Sequence, residues 1–150
     1  MPLKRSNNRA PSRALSDSTE DHLERIADFV ERKGYARVTD VAEELGLTAA
    51  TVSNMVRRLA GRGLLSYERY RGFNLTAEGR AVAARTKERH QTLTEFLQLL
   101  GLEEKTVAAE VEDMEHHLRP QTLSVLEKLV GFWKNHPDQL ELFRRFAERK

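Results

Sequence analysis

Residues 111–118, VEDMEHHL, place two glutamates and two histidines within six positions. Carboxylate oxygens and imidazole nitrogens are common protein ligands of divalent cations. On an α-helix, residues at i, i+3 and i+4 share a face, so Glu112, Glu115 and His116 are predicted to point in one direction. His117 lies about 100° further around such a helix and need not join them. The segment is either part of a metal site or a solvated polar helix face.

Further ligand-type residues lie elsewhere in the chain. Asp21 and Glu24 stand at i and i+3 in the first predicted helix, and His90 lies midway along a long predicted helix. Each has an ordinary explanation when taken alone, because acidic residues are common in the first turn of a helix and a lone histidine is usually polar surface. The chain has no cysteine, which excludes disulfides, thiolate zinc sites, iron–sulfur clusters and a cysteine nucleophile.

Residues 17–76 are predicted to form a winged helix–turn–helix. After a first amphipathic helix come two short helices, one capped by Thr39 and one by Thr48, with Gly46 in the turn between them. The next residues alternate as in a β-hairpin, with Gly72 as the turn residue. A hairpin directly after a helix–turn–helix is the wing of a winged helix.

A winged helix places the second helix of its helix–turn–helix in the major groove of DNA. Five arginines stand against one acid in residues 47–73, which suits a polyanionic partner. Contacts with base edges or phosphates are predicted for Thr48, Ala50, Thr51, Ser53, Asn54 and Arg57, and phosphate contacts for Arg58, Arg62, Arg69 and Arg71. The alternative is a winged helix that contacts only protein.

The C-terminal part of the sequence is helical in pattern. A long helix is predicted over residues 77–100, another over 103–118 ahead of Pro120, and two more over 121–135 and 137–149. These helices carry more large apolar side chains than one short chain is expected to bury by itself. We therefore expect a homodimer.

These motifs resemble the manganese transport regulators, the short-chain branch of the diphtheria toxin repressor family. The resemblance rests on EDHLERI, RKGYARVTDVAEELGL, YERYRGFNLTAEGR, the RH of residues 89–90 and VEDMEHHL, in this order and at similar spacing over about residues 18–135. It implies two metal ions per subunit in a binuclear site held by Asp21, Glu24, His90, Glu112, Glu115 and His116. It also implies a homodimer that binds a (pseudo)palindromic operator in double-stranded DNA.

The ligand types bear on the identity of the metal. The iron-responsive branch of that family has a methionine and a cysteine where this chain has Asp21 and Glu115, so the resemblance implies the manganese branch. Four carboxylates and two imidazoles form an oxygen and nitrogen set that suits Mn²⁺ and lacks the soft ligands favoured by copper or zinc. Fe²⁺, Cd²⁺ and Zn²⁺ are further candidate ions.

The fold class is predicted to be mainly α, with an N-terminal winged helix–turn–helix joined by a long linker helix to an all-helical dimerisation domain. The expected parts are a disordered basic arm (1–16), the DNA-binding domain (17–76), the linker helix (77–100) and a metal-binding and dimerisation domain (101–150). Residues 1–90 carry 17 Lys and Arg against 12 Asp and Glu, whereas residues 91–150 carry 8 against 11. The basic half is thus the half assigned to DNA.

No apolar run approaches the ~18 residues of a membrane span, and no secretory signal is recognisable, so a cytoplasmic protein without membrane partners is expected. A Mn²⁺-responsive regulator, in the simplest case a repressor of manganese uptake genes, accounts for both halves of the chain. Two alternatives account for one half each. A winged-helix regulator of Fe²⁺ or of a small organic ligand does not need six metal-type side chains. A dinuclear metalloenzyme does not explain the wing, so we expect no enzyme.

Overall fold

The computed structural model describes residues 17–68 and 70–149. Its elements are α1 (Asp17–Lys33), α2 (Val38–Leu45), α3 (Ala49–Gly61), β1 (Leu65–Glu68), β2 (Gly72–Leu75), α4 (Ala77–Leu99), α5 (Glu104–Glu115), α6 (Pro120–Asn135) and α7 (Pro137–Glu148). The predicted fold class is confirmed. The basic arm predicted for residues 1–16 and the predicted phosphate contact Arg69 lie outside the described residues.

The N-terminal core lies between α1, α2, α3, the hairpin and the first half of α4. The apolar stripe predicted for α1 is buried at Leu23, Ile26 and Val30, because residues at this spacing share one helix face. Strands β1 and β2 pair in antiparallel fashion, with Leu65 opposite Leu75. The wing is thereby fixed to the helices by its own apolar side chains.

The start of α2 corrects one prediction. Thr39 is not the cap of this helix, because the N-cap position belongs to Arg37, which makes no side-chain capping hydrogen bond. The preceding residue, Ala36, forms a β-bridge with Phe73, and this pairing with the wing sets where the extended backbone ends. The predicted cap of α3 is confirmed, since the Thr48 side chain accepts a hydrogen bond from the backbone N–H of Thr51.

The turn of the wing corrects another prediction. Gly72 is the first residue of β2 and pairs with Glu68, while Tyr70 adopts the left-handed backbone conformation with φ 67°. Gly72 is needed for a different reason. A Cβ atom at this position, where φ is +123°, would lie 2.1 Å from the carbonyl oxygen of Ala36, so only glycine permits the close approach of the wing to the chain before α2.

A second core lies between the later half of α4 and α5, with α6 packed against it. Helix α4 passes through both cores, burying Val82 in the first and Leu93 in the second. Helix α5 is shorter than predicted, because it ends at Glu115 and His116 takes the C-cap position. Pro120 opens α6 rather than ending α5, as suits a residue without a backbone N–H.

The last two helices bury only part of their apolar surface in the chain. Val130 and Leu140 are buried, whereas Phe132, Leu142 and Phe146 are exposed. Some of the apolar residues predicted to form a dimer interface therefore belong to the intrachain core. Within the described ranges, no helix combines the length and hydrophobicity that a membrane span requires.

Candidate metal centre and nucleic-acid interface

The six predicted ligands come from three helices that meet between the two cores. Helix α1 carries Asp21 and Glu24, and α4 carries His90. Helix α5 carries Glu112 and Glu115, and His116 follows at its C-cap. Helix α4 contacts both α1 and α5, which explains how residues about 90 positions apart in the sequence converge.

One group consists of Asp21, Glu112 and His116. One ligand atom from each of these side chains lies within 4.8 Å of the others. Glu112 is exposed, whereas Asp21 and His116 are half-buried. Two carboxylates and an imidazole at this separation provide oxygen and nitrogen donors that can converge on one divalent cation. The group joins the DNA-binding domain to the C-terminal domain, because its members come from both.

A second group is centred on Glu115, whose residue surface is only 5% exposed. Its Oε2 atom accepts a hydrogen bond from Nδ1 of His90 at 2.9 Å, and its Oε1 atom lies 3.7 Å from Nε2 of His116. Glu24 belongs to the same neighbourhood, since both His90 and Glu115 act electrostatically on its carboxyl group. A buried carboxylate is costly unless polar partners surround it, and here the partners are themselves ligand-type residues.

Burial raises the pKa of the Glu24 carboxyl group, and the charge of His90 opposes this shift. The neighbouring carboxylates of Asp28, Glu115 and Asp21 raise the pKa further. Glu24 therefore stands where negative charge is already crowded, which is the condition that a bound cation relieves.

Burial also lowers the pKa of His22, with additional effects from the positive charges of Arg25 and Arg58. His22 faces a small cavity of about 230 Å³ between α1 and α3, lined also by Met55 and Arg62. This histidine therefore belongs to the basic side of the N-terminal domain, away from the carboxylates.

The arrangement fits a divalent metal. The donors are four carboxylates and two imidazoles, and neither group contains sulfur. Their crowding leaves negative charge for a cation to offset, as the raised pKa of Glu24 indicates. Such a set matches ions that prefer oxygen and nitrogen ligands, among them Mn²⁺.

Sequence reasoning missed an ion pair beside the centre. Nη2 of Arg89 lies 2.6 Å from Oε2 of Glu20, and the two residues directly precede His90 and Asp21. The available signal was an acid and a base next to two ligand-type residues. Nothing local in the sequence shows that the two charges meet, because 69 positions separate them.

The start of α3 is the candidate DNA-recognition surface. Ala50, Thr51 and Asn54 are exposed, and Ser53 is half-exposed. The hydroxyl groups of Thr48 and Thr51 lie 2.8 Å apart within the helix cap, so these two threonines also fix the end of the helix. Small side chains here allow a close approach to a groove.

The predicted basic contacts divide into three places. Arg57 lies on α3 and donates to Oδ1 of Asn54 at 3.4 Å, which holds these two side chains together. Arg58 faces α1, and Arg62 lines a cleft of about 800 Å³ between the two domains. Arg71 is exposed on the wing, where its carbonyl oxygen accepts a hydrogen bond from Arg37 Nε at 3.5 Å.

Two protein-family models match this chain. One, described as "Iron dependent repressor, N-terminal DNA binding domain", matches residues 14–73. The other, described as "Iron dependent repressor, metal binding and dimerisation domain", matches residues 76–144. The HTH-type transcriptional regulator MntR of Listeria welshimeri is 39% identical over 133 residues, covering 89% of this chain and 94% of that protein.

Solved structures give the same picture. The metal-dependent transcriptional regulator MtsR superimposes with a TM-score of 0.69 at 26% identity, over 79% of this chain and 55% of that chain. The manganese regulator SloR superimposes with a TM-score of 0.64 at 25% identity, again over 79% of this chain and 55% of that chain. The chain thus spans about half the length of these two structures.

Proposed function

The chain belongs to the iron dependent repressor family, and from this premise we propose that it is a Mn²⁺-responsive, DNA-binding transcriptional repressor of manganese uptake genes. Its relative in Listeria carries the name of a transcriptional regulator, and SloR, which shares its fold, is a manganese regulator. These relatives do not favour the alternative of a regulator that responds to Fe²⁺ or to a small organic molecule.

The observation that carries the proposal is the convergence of Asp21 with Glu112 and His116. Asp21 moves with the DNA-binding domain, whereas Glu112 and His116 move with the C-terminal domain. A site built from both domains responds to their relative orientation. Metal occupancy and DNA-binding geometry are therefore coupled through the same side chains.

We assign the six residues to two ion positions. The proposed groups are Asp21, Glu112 and His116 for one ion, and Glu24, His90 and Glu115 for the other. Two divalent ions would supply four positive charges, which offset the negative charges of the four carboxylates. Without that compensation, the carboxylates of α1 and α5 repel one another and disfavour the approach of the two domains.

The oligomeric part of the proposal rests on the exposed apolar surface of α6 and α7. Phe132, Leu142 and Phe146 are exposed in the single chain, and the C-terminal family model describes a dimerisation domain. Two recognition helices held at a fixed separation match two DNA half-sites about one helical turn, or a multiple of it, apart. A (pseudo)palindromic operator is the DNA sequence that such a dimer requires.

The test is a mobility-shift titration of the full chain with the upstream DNA of a manganese transporter gene. Mn²⁺, Fe²⁺ and Zn²⁺ are added separately at fixed salt, because protein–DNA affinity depends strongly on ionic strength. We expect Mn²⁺ to tighten DNA binding by about tenfold or more, a coupling within the usual ~1–3 kcal/mol range.

Adjacent histidines provide a matched pair of variants. His116→Ala should abolish the Mn²⁺ effect on DNA binding. His117→Ala should keep it, since the ring of His117 is exposed and its Nδ1 donates to the carbonyl oxygen of Asp113 at 2.8 Å. Equal DNA binding with and without metal, or an intact Mn²⁺ response in His116→Ala, contradicts the proposal.

A further inference from the structure

The pair Glu20–Arg89 joins α1 to α4 beside the candidate metal centre. The N–O distance is 2.6 Å, and the two side chains are only 20% and 21% exposed. A second ion pair, Asp28–Lys87, joins the same two helices at 3.4 Å, with side chains 49% and 59% exposed. The chain therefore has a well-solvated tie between α1 and α4 and a more deeply buried one next to the ligands.

Stability does not explain the buried pair well. The Nε atom of Arg89 is buried and has no hydrogen-bond partner among the residues that the structure describes. A guanidinium that is desolvated but only partly hydrogen-bonded costs free energy that a single ion pair does not fully offset. The solvated pair Asp28–Lys87 connects the same helices at lower desolvation cost, so the buried pair must serve another purpose.

The position of Glu20 indicates that purpose. Glu20 stands directly before Asp21 and four residues before Glu24, so it shares a helix face with Glu24. A carboxylate at this position is the same type of donor as the four already at the centre. Arg89 gives it a permanent positive partner, because a guanidinium stays charged at any physiological pH.

We propose that Arg89 is a positioning residue that determines metal specificity by holding Glu20 out of the metal centre. This inference rests on the proposed function of the six ligands. Four carboxylates match the charge of two divalent ions, whereas a fifth would exceed it and add oxygen donors. Extra oxygen ligands favour Ca²⁺, which takes six to eight of them, over Mn²⁺. The buried ion pair thus limits both the charge and the number of donors.

The experiment compares the wild-type full chain with Arg89→Gln, Arg89→Gln/Glu20→Gln and Lys87→Gln in calorimetric titrations with Mn²⁺ and with Ca²⁺. We expect Arg89→Gln to weaken Mn²⁺ binding about tenfold, as changes next to metal ligands commonly do, without weakening Ca²⁺ binding. The double variant should regain the wild-type preference, because its residue 20 no longer carries a charge. Lys87→Gln should match the wild type.

A readout without metal accompanies the titrations. In metal-free protein, Arg89→Gln should melt at a lower temperature than the double variant, since only the single variant leaves Glu20 to repel Asp21 and Glu24. An unchanged Mn²⁺ to Ca²⁺ preference in Arg89→Gln overturns the inference. It is also overturned if the double variant is as impaired as the single one, because the pair would then act only by packing the helices.

Where Arg89→Gln does not fold, Arg89→Lys decides. It keeps the positive charge without the planar fork, so the preference for Mn²⁺ over Ca²⁺ should persist even if both affinities fall, and loss of the preference overturns the inference. The titrations contain no DNA. Wild-type protein that binds Mn²⁺ but shows no Mn²⁺-dependent DNA binding contradicts the proposed function alone, whereas wild-type protein that binds no Mn²⁺ contradicts both.

Discussion

Replacing Glu112 by Gln should make the metal-free protein more stable. A carboxylate oxygen of Glu112 lies within 4.8 Å of one of Asp21. Two like charges at this distance repel by about 0.9 kcal/mol in water and by about 3.5 kcal/mol at an effective dielectric constant of 20. Because Glu112 is exposed, the lower end applies, so the variant should gain about 1 kcal/mol in unfolding free energy.

The same substitution should have the opposite effect when Mn²⁺ is present. Binding to the folded state stabilises a protein in proportion to the logarithm of ligand excess over the dissociation constant. Glu112→Gln removes one charged ligand from the group with Asp21 and His116, so it should gain less stability from Mn²⁺ than the wild type. The stability order of the two proteins should therefore reverse between EDTA and saturating Mn²⁺.

Thermal unfolding in EDTA and in a Mn²⁺ series measures both effects on one protein. A change of 1 kcal/mol corresponds to a shift of about 2–4 °C for a chain of this length. The matched control is Glu110→Gln, an exposed acid on the same helix that lies outside the group, and its curves should follow the wild type at every Mn²⁺ concentration. A Glu112→Gln protein that is no more stable in EDTA, or that keeps the full Mn²⁺ shift, refutes the reasoning.

Three further substitutions test the DNA-binding half. Thr48→Ala removes the capping hydrogen bond to the backbone N–H of Thr51 (3.1 Å) and should lower the unfolding free energy by about 1 kcal/mol, measured by urea denaturation. Gly72→Ala places a Cβ atom 2.1 Å from a backbone carbonyl oxygen; it should displace the wing, destabilise the protein by more than about 1 kcal/mol and weaken DNA binding, and unchanged melting would argue against the close approach. Arg71→Ala should weaken binding to all DNA sequences alike and reduce the slope of log affinity against log salt by about 1, as expected for a lost phosphate contact, whereas a sequence-dependent loss would indicate a base contact.

The sequence predicted most of the fold because the relevant interactions are local. Apolar spacing located α1, and the cap at Thr48 located the start of the recognition helix, as the structure confirms. The predictions that were wrong concern places where distant residues intervene. Thr39 lost the cap of α2 because Ala36 pairs with Phe73, and Gly72 left the turn because it must pass close to Ala36.

For the candidate metal centre, the sequence alone determined which residue types are available. The i, i+3 spacing of Asp21 and Glu24 and the cluster at Glu112–His116 are read directly from the chain, and the family resemblance added His90. The roles of these six residues as ligands stay predictions. Only the tertiary structure decided how they divide, since the partners of Glu115 and Asp21 come from other helices.

The same distinction applies to Glu20 and Arg89. Each is an ordinary charged residue on a helix, and neither its type nor its neighbours predicts a partner 69 positions away. Their pairing follows from the way α4 passes between the two cores and lies against α1. Local spacing fixes which face of a helix a side chain occupies, whereas the choice of partner, the burial and the resulting charge balance are set by long-range packing.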